Sequence, residues 1–226
     1  MAWPGGVRRY DRRMHELARA PVDPQAGRPR LLRAGGHMWL AAGRRLMRRT
    51  PAVAATVRTP FPVVSAVAVG GTIWVAGGEP HRDAIAPARL IGVDAGDGRV
   101  VAPVRRLPRG ATGDLTAAPG GRLWASSDEG LLLIDPARPG RVIRRSPEGG
   151  SAVAGEGALW TLDGGGDELV RLDPATGGRT GALRLPHPAR LVQTAAGLVI
   201  VNLRSSFLAV DPVTLAIRWT RAVPEG

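Results

Sequence analysis

The sequence contains no cysteine and no lysine. Without cysteine, the chain can form neither a disulfide framework nor a thiolate metal site, and it carries no thiol nucleophile. All 31 basic residues are arginine, in a chain that is also rich in Ala, Gly and Pro. That composition is typical of a genome-wide codon bias towards G and C, so it does not by itself indicate a nucleic-acid partner.

Aromatic residues and long apolar runs are also scarce. Only 4% of the residues are aromatic, so Val, Leu, Ile and Ala must fill the core. No apolar run approaches the length that a membrane-spanning helix needs, and residues 1–10 lack the apolar centre of a secretory signal. We therefore expect no membrane-spanning helix and a soluble chain as written, while its compartment stays open.

Two sequence landmarks recur at a nearly constant interval. The first is an aspartate, with spacings of 41, 38 and 38 residues in the series Asp94, Asp135, Asp173 and Asp211. The second is a Gly-x-x-Trp segment, which ends in turn at Trp39, Trp74, Trp124 and Trp160. Repeats of about 40 residues with four short strands each are the signature of a β-propeller. We expect these tryptophans to pack between neighbouring repeats rather than to form a site.

One well-marked repeat illustrates the expected strands, which are Ser151–Ala154, Ala158–Leu162, Glu168–Leu172 and Arg179–Leu185. An Asp-Pro-Ala-Thr-Gly turn joins the last two, because Asp accepts nearby backbone N–H bonds and Pro presets φ. A helical solenoid would instead need longer stretches of period 3.6. Gly and Pro interrupt such stretches everywhere except Arg8–Ala20, which we assign to strand, turn and strand.

The predicted fold class is all-β: a propeller of about six four-stranded blades that forms a single domain over residues 1–226. We number the repeats in chain order as repeat 1 (1–23), repeat 2 (29–60), repeat 3 (62–108), repeat 4 (112–147), repeat 5 (150–186) and repeat 6 (189–226). Repeat 1 is incomplete, because it offers no inner strand. Either the ring closes with a three-stranded blade, or Met1 is an internal start in a longer protein with a further blade, a signal peptide or a membrane anchor. We favour the second explanation.

The segment Phe207–Trp219 resembles the repeat of pyrroloquinoline-quinone-type propellers, which place Ala, Asp, Thr, Gly and a closing Trp at fixed offsets. Leu215 stands where that repeat has Gly. The Asp173–Gly177 turn fits the related surface-layer-type (YVTN-like) repeats equally well. The resemblance covers about residues 7–223 and allows an exported or membrane-tethered full-length form. Quinoprotein dehydrogenases of this superfamily are longer and carry a calcium–quinone site that nothing here matches, so no cofactor is predicted.

The resemblance also implies where ligands bind. The loops between the second and third strands, and those between successive repeats, open on one face, while the aspartate turns lie on the opposite face and are structural. In repeat 3 the first of these loops is longer by roughly Gly78–Ala88. Insertions concentrate in functional loops, although a tolerated surface insertion explains this one as well. The ligand-face candidates are Glu79, His81, Arg82, Asp83, Arg109, Asp114, His187 and Arg204.

No segment carries a recognisable catalytic or metal-binding motif. The loop Leu162–Glu168 holds three carboxylates, which hard cations favour, but it lacks the Asp-x-Asp-x-Asp spacing, so we interpret it as a solvated acidic turn. The four histidines share no metal-ligand spacing. Neither a nucleophile elbow nor a phosphate loop is present. We predict no metal site and no catalytic residue.

The positive charge is concentrated in the first part of the sequence. Residues 1–60 hold 13 Arg and three acidic residues, whereas the remaining residues hold 18 Arg and 16 acidic residues. Arginine pairs such as Arg44–Arg45, Arg48–Arg49 and Arg105–Arg106 could form a surface for an anionic partner, either nucleic acid or acidic lipid. Aromatic residues for base stacking are scarce among them, which argues against specific nucleic-acid binding.

The sequence thus favours a monomeric, non-catalytic scaffold that presents loops to a protein or a small ligand. An enzyme that uses the ligand face, such as a lyase, hydrolase or dehydrogenase, is the first alternative. A binder of anionic surfaces through the Arg-rich first repeats is the second. The leading interpretation follows from the fold, because repeated blades bury a continuous core and leave loop chemistry free to vary.

Overall fold

The computed structural model describes residues 2–3, 6–10, 16–21, 30–49, 55–78, 88–195, 197–203 and 206–222. Over these residues the chain forms 23 strands and one 3-10 turn at Pro119–Gly121, and no α-helix. This part of the chain therefore has no helix with the length and apolarity that crossing a membrane requires.

Repeat 1 forms a three-stranded antiparallel sheet in the order β1, β2, β3. Its strands are β1 (Ala2–Trp3), β2 (Gly6–Tyr10) and β3 (Glu16–Pro21). The predicted strands at the two ends of the Arg8–Ala20 segment are confirmed as Gly6–Tyr10 and Glu16–Pro21, and residues 11–15 lie outside the described residues.

Each of the other five repeats forms one four-stranded antiparallel sheet whose strands are paired in chain order. Repeats 2 and 3 contain β4 (Arg30–Ala34), β5 (His37–Ala42), β6 (Arg45–Arg49), β7 (Ala55–Arg58), β8 (Val63–Val69), β9 (Thr72–Gly77), β10 (Arg89–Asp94) and β11 (Val100–Arg106). Repeat 4 contains β12 (Ala111–Ala118), β13 (Arg122–Ser127), β14 (Gly130–Ile134) and β15 (Val142–Ser146). Repeats 5 and 6 contain β16 (Ala152–Gly155), β17 (Ala158–Leu162), β18 (Glu168–Leu172), β19 (Arg179–Arg184), β20 (Ala189–Ala195), β21 (Leu198–Leu203), β22 (Ser206–Val210) and β23 (Ile217–Ala222).

The chain divides into two compact units. Unit 1 comprises Met1–Asp114 and Pro136–Gly140, and unit 2 comprises Leu115–Asp135 and Arg141–Gly226. In unit 1, repeats 2 and 3 share a core that includes Trp39, Leu46, Phe61, Ile73 and Val93. In unit 2, one cluster joins repeats 4 and 5, and a second joins repeats 5 and 6. A single sheet cannot bury its own apolar faces, so each depends on its neighbour.

The alternation of side chains along β21 illustrates this packing. Val199, Val201 and Leu203 are buried, whereas the residues between them are only partly buried. The buried face contacts Trp160 and Leu169 of repeat 5. The alternation of side chains along the strand therefore places one apolar face of repeat 6 against repeat 5.

Three of the four recurring tryptophans are buried, as predicted, but Trp74 is only partly buried. The residue directly opposite Trp74 on β10 is Gly92, where a Cβ atom would lie 2.9 Å from the Trp74 ring. The ring therefore occupies the space that a side chain at position 92 would fill. In repeats 2 and 5 the equivalent position holds Arg48 and Arg171, opposite Trp39 and Trp160.

The turn of repeat 6 shows how the chain tolerates the replacement of glycine by Leu215. Leu215 has a φ of 61°, close to the 69° of Gly177 at the equivalent position of repeat 5. An L-residue in this left-handed region is strained. The Leu215 side chain packs against the core shared by repeats 5 and 6, where its Cδ1 atom approaches Gly181. Burial of the side chain offsets the backbone strain.

Candidate functional site

The loop between the second and third strands of a repeat lies beside the linker that follows its fourth strand. We call this side of a repeat its loop edge, and the opposite side, with the aspartate turn, its turn edge. In repeat 2 the Val63 N–H donates to the Gly43 carbonyl at 2.7 Å, and Thr59 N–H donates to the Arg44 carbonyl at 2.9 Å. The Arg44 guanidinium donates to the Pro60 carbonyl at 2.9 Å. The loop and the linker are thus fastened together.

The loop edge of repeat 3 is fastened in the same way. The Leu107 N–H donates to the Ala88 carbonyl at 2.8 Å, at the point where the long loop of this repeat returns to the sheet. Arg109 follows in the linker and is exposed. Glu79, His81, Arg82 and Asp83 of the long loop lie outside the described residues.

In repeat 5 the acidic loop is held by its own carboxylate. Asp163 Oδ1 accepts the Glu168 N–H at 2.9 Å, and the Asp163 carbonyl accepts the Gly166 N–H at 3.0 Å. Two further bonds, Leu185 N–H to the Asp167 carbonyl and Ala189 N–H to the Gly166 carbonyl, join the loop to the next linker at 2.8 Å each. The Asp163 carboxylate therefore stabilises the loop itself. Among the described residues, no group of three or more His, Cys, Asp and Glu side chains could hold a metal ion.

The structure brings one predicted candidate, Asp114, into an ion pair that the sequence did not suggest. Asp114 on β12 lies 3.2 Å from the Arg30 guanidinium on β4, and 84 residues separate the two in sequence. Both residues belong to unit 1, and each lies on the first strand of its repeat. The carboxylate side chain is 30% exposed and the arginine 47%. Arg30 is one of three arginines within six residues, Arg28, Arg30 and Arg33, so no signal in the sequence singled it out.

The other two described candidates, Arg109 and His187, are exposed. Arg109 lies in the linker after repeat 3, in unit 1, and His187 lies in the linker after repeat 5, in unit 2. Arg204 lies outside the described residues.

On the turn edge, aspartate carboxylates hold the backbone of the turns in place. Asp173 Oδ1 accepts the Ala175 N–H at 3.0 Å, the Thr176 N–H at 2.7 Å and the Thr176 hydroxyl at 2.8 Å. The Thr176 hydroxyl, followed by its backbone N–H, is the main reason that the pKa of Asp173 lies below its usual value. The carboxylate is thus committed to closing the turn.

Asp211 closes the equivalent turn of repeat 6. Its Oδ1 accepts the Val213 N–H at 2.9 Å and the Thr214 N–H at 2.8 Å, and Arg218 donates to Oδ2. The Thr214 N–H, and then Arg218, lower the pKa of Asp211 well below its usual range. Both carboxylates stay ionised and are occupied by turn donors.

The turns also receive donors from the preceding repeat. Within unit 2, Arg171 of repeat 5 donates to the Pro212 and Val213 carbonyls at 2.9 and 3.0 Å. Within unit 1, Arg48 of repeat 2 donates to the Gly96 carbonyl. These contacts make the turn edge part of the packing between repeats.

Comparison with known proteins establishes the fold. No protein-family model and no curated protein matches this sequence. The β-propeller domain of Cps50 (Swd1) from Myceliophteria thermophila matches with a TM-score of 0.68 and 14% identity, over 99% of this chain and 82% of that domain. The Pan2 WD40 domain of Neurospora crassa matches with a TM-score of 0.67 and 11% identity, over 90% of this chain and 69% of that one.

BamB from Moraxella catarrhalis is a further match, with a TM-score of 0.57 and 12% identity over 86% of this chain. This chain spans 64% of the BamB chain. At such identities the likeness shows the fold alone. The predicted all-β propeller is therefore confirmed, with five four-stranded blades and a three-stranded first blade.

Proposed function

We propose that this chain is a non-catalytic β-propeller scaffold that binds a protein partner through the loop edges of its repeats. The observation that carries the proposal is the set of backbone hydrogen bonds that fasten the loops of repeats 2, 3 and 5 to the following linkers, as in Val63 to Gly43 and Leu185 to Asp167. A surface that is already ordered loses little conformational entropy when it binds. The fastened loops therefore suit recognition by a rigid surface.

Variation of the exposed residues on a constant frame supports the same proposal. The loop of repeat 2 presents Arg44, the loop of repeat 4 presents Asp128 and Glu129, and the loop of repeat 5 presents Asp167. Repeat scaffolds acquire specificity in this way, because the blade core is independent of the loop chemistry.

We also propose that the chain belongs to the pyrroloquinoline-quinone-like and YVTN-like group of propellers. Support comes from the aspartate turns of repeats 5 and 6, where Asp173 and Asp211 each accept the backbone N–H groups of the residues two and three positions later, the second of which is a Thr. The turn chemistry thus agrees with the repeat motif of that group.

Binding through the loop edge is tested with single substitutions on the two edges. The purified chain is used as bait in an extract of its source cells, and a retained protein is then purified and titrated calorimetrically. We expect Arg109→Ala and Asp128→Ala, both on loop edges, to weaken that binding, while Arg122→Ala on the turn edge leaves it unchanged. A partner that is sensitive only to the turn edge, or turnover of a substrate by the chain, would contradict the proposal.

A further inference from the structure

Two loop edges of unit 1 place arginines directly opposite each other. In repeat 2, Arg45 at the start of β6 faces Arg58 at the end of β7, and in repeat 3, Arg89 at the start of β10 faces Arg106 at the end of β11. All four side chains are exposed. Cα atoms of facing residues in antiparallel strands are about 5 Å apart. Like charges at that distance destabilise a sheet.

The same position in repeat 5 carries a complementary pair. Glu168 begins β18 and faces Arg184 at the end of β19. Arg45, Arg89 and Glu168 are equivalent, because each stands three residues before the residue that faces the tryptophan of its repeat. The Glu168 carboxylate is held by Arg179 at 2.7 Å. A carboxylate at this position of repeat 5 is thus neutralised by an arginine of the outer strand, whereas the same position in repeats 2 and 3 carries an arginine.

No described acidic residue neutralises these arginines. Within residues 30–114, the structure describes three acidic side chains, and each of them has a partner other than these four arginines. Asp94 accepts the turn N–H groups of Gly96 and Asp97, Asp97 pairs with Arg99, and Asp114 pairs with Arg30. Among the described residues, the four facing arginines have no ion-pair partner.

The imbalance extends to the whole of unit 1. By sequence, unit 1 holds 20 of the 31 arginines and 8 of the 19 acidic residues, whereas unit 2 holds 11 of each. The net charge of +12 therefore belongs to unit 1 alone. Repeats 2 and 3 share one core, so both arginine pairs lie on the same packed body. Arg44 and Arg109, also exposed, lie on the same loop edges.

We propose that Arg45, Arg58, Arg89 and Arg106, with Arg44 and Arg109, form a surface that binds an acidic segment of a partner protein. This inference rests on the proposed scaffold function and specifies the chemistry of the partner. Guanidinium groups bind carboxylates through paired, charge-assisted hydrogen bonds. Repeat 5 provides the internal example, since an arginine of its outer strand holds a carboxylate at this very position.

The composition of the surface favours a polypeptide over a nucleic acid. Non-specific binding of single strands uses aromatic side chains on which bases stack. The described loop edges of repeats 2 and 3 contain one aromatic residue, Phe61, and its side chain is fully buried. The surface thus offers charge and planar hydrogen-bond donors without a stacking platform.

The test replaces two of the arginines with glutamate, the residue that repeat 5 carries at the same position. Arg45→Glu with Arg89→Glu gives repeats 2 and 3 the Glu–Arg pair of repeat 5, so the variant is expected to fold with an unchanged or higher melting temperature. The matched control, Arg122→Glu with Arg141→Glu, changes the net charge equally but on the turn edge of repeat 4. The probe is a synthetic peptide of alternating Glu and Ser, compared with its Gln counterpart, with single-stranded DNA and with vesicles of anionic lipid.

We expect the Glu peptide to bind the full-length chain in a salt-dependent manner and the Gln peptide not to bind. The Arg45→Glu, Arg89→Glu variant should bind it about tenfold more weakly, and the control should bind it as the unsubstituted chain does. Equal binding by all three proteins, no binding of the Glu peptide, or tighter binding of DNA or vesicles overturns the inference. A partner that still depends on Arg109 or Asp128 when the Glu peptide fails would leave the scaffold function standing, so the two failures are distinguishable.

Discussion

The indole N–H of Trp124 donates a hydrogen bond to the Pro174 carbonyl at 2.9 Å, and this bond joins the second strand of repeat 4 to the aspartate turn of repeat 5. Trp39 makes the same contact from repeat 2 to repeat 3, with 3.2 Å between its Nε1 and the Ala95 oxygen. Trp160 instead donates to Gly155 within its own repeat, at 3.0 Å. In two repeats the tryptophan is therefore both a core residue and a polar link to the next blade.

Trp124→Phe tests the polar part of that link. Phenylalanine keeps most of the buried aromatic volume but cannot donate to the Pro174 carbonyl, which is left without its indole donor. We expect the free energy of unfolding to fall by about 1–2 kcal/mol, as for other lost hydrogen bonds to buried groups. Urea unfolding followed by circular dichroism measures it. The control is Trp219→Phe, because the Trp219 ring is partly exposed and contacts Arg221 through its face. Equal losses in both variants would show that the hydrogen bond contributes nothing.

The Trp74 ring leaves no room for a side chain at position 92, which is glycine. A Cβ atom at position 92 would lie 2.9 Å from two separate groups, the Trp74 ring and the Ala102 side chain. Gly92→Ala must therefore displace the ring or the outer strand, and we expect a loss of about 1–3 kcal/mol in the free energy of unfolding, typical of overpacking. Unfolding in urea measures the loss of stability, and a change in the tryptophan fluorescence of the folded chain relative to the unsubstituted chain reports displacement of the ring.

Gly164→Ala is the matched control for Gly92→Ala. Nothing lies within 4 Å of a Cβ atom built on Gly164, in the acidic loop of repeat 5. We expect this substitution to be neutral or slightly stabilising, because alanine restricts the unfolded chain. A Gly92→Ala variant as stable as the control would mean that the Trp74 ring relocates without cost.

The repeat pattern was predictable from sequence because it depends on local chemistry. The Asp173 turn and the glycine hairpins follow from residue types within five positions, so their spacing gave the number of sheets and the position of most strands. The Arg30–Asp114 pair was not predictable, because 84 residues separate its members and only tertiary packing brings them together. The facing of Arg45 and Arg58 likewise depends on the strand register.

Acid should weaken the aspartate turns of repeats 5 and 6. The pKa values of Asp173 and Asp211 are lowered in the folded state by N–H and hydroxyl donors of the turns, and for Asp211 also by Arg218. A carboxyl group whose pKa is lower in the folded than in the unfolded chain stabilises the fold above its unfolded value of about 3.9. That stabilisation is lost as the pH falls through the lowered folded-state values.

The double substitution Asp173→Asn with Asp211→Asn isolates this effect. We expect the variant to be less stable than the unsubstituted chain at neutral pH, and the difference to shrink as acid protonates the native carboxylates. Urea midpoints measured from neutral pH down to about pH 2 give both curves. Asp128→Asn, at an exposed loop position, should track the unsubstituted chain throughout. Parallel curves for the double variant and the unsubstituted chain would exclude a role for the two ionised carboxylates.

Substitutions in the Arg30–Asp114 pair test whether the candidate Asp114 has a structural or a functional role. The two side chains are 47% and 30% exposed, and ion pairs in such positions contribute about 0–1 kcal/mol. A double-mutant cycle with Arg30→Gln and Asp114→Asn should therefore give a coupling energy in that range, and added salt should reduce it because exposed charges are screened. If Asp114→Asn abolishes partner binding while the coupling stays this small, the carboxylate acts on the partner directly. Unchanged binding would assign Asp114 to the blades alone.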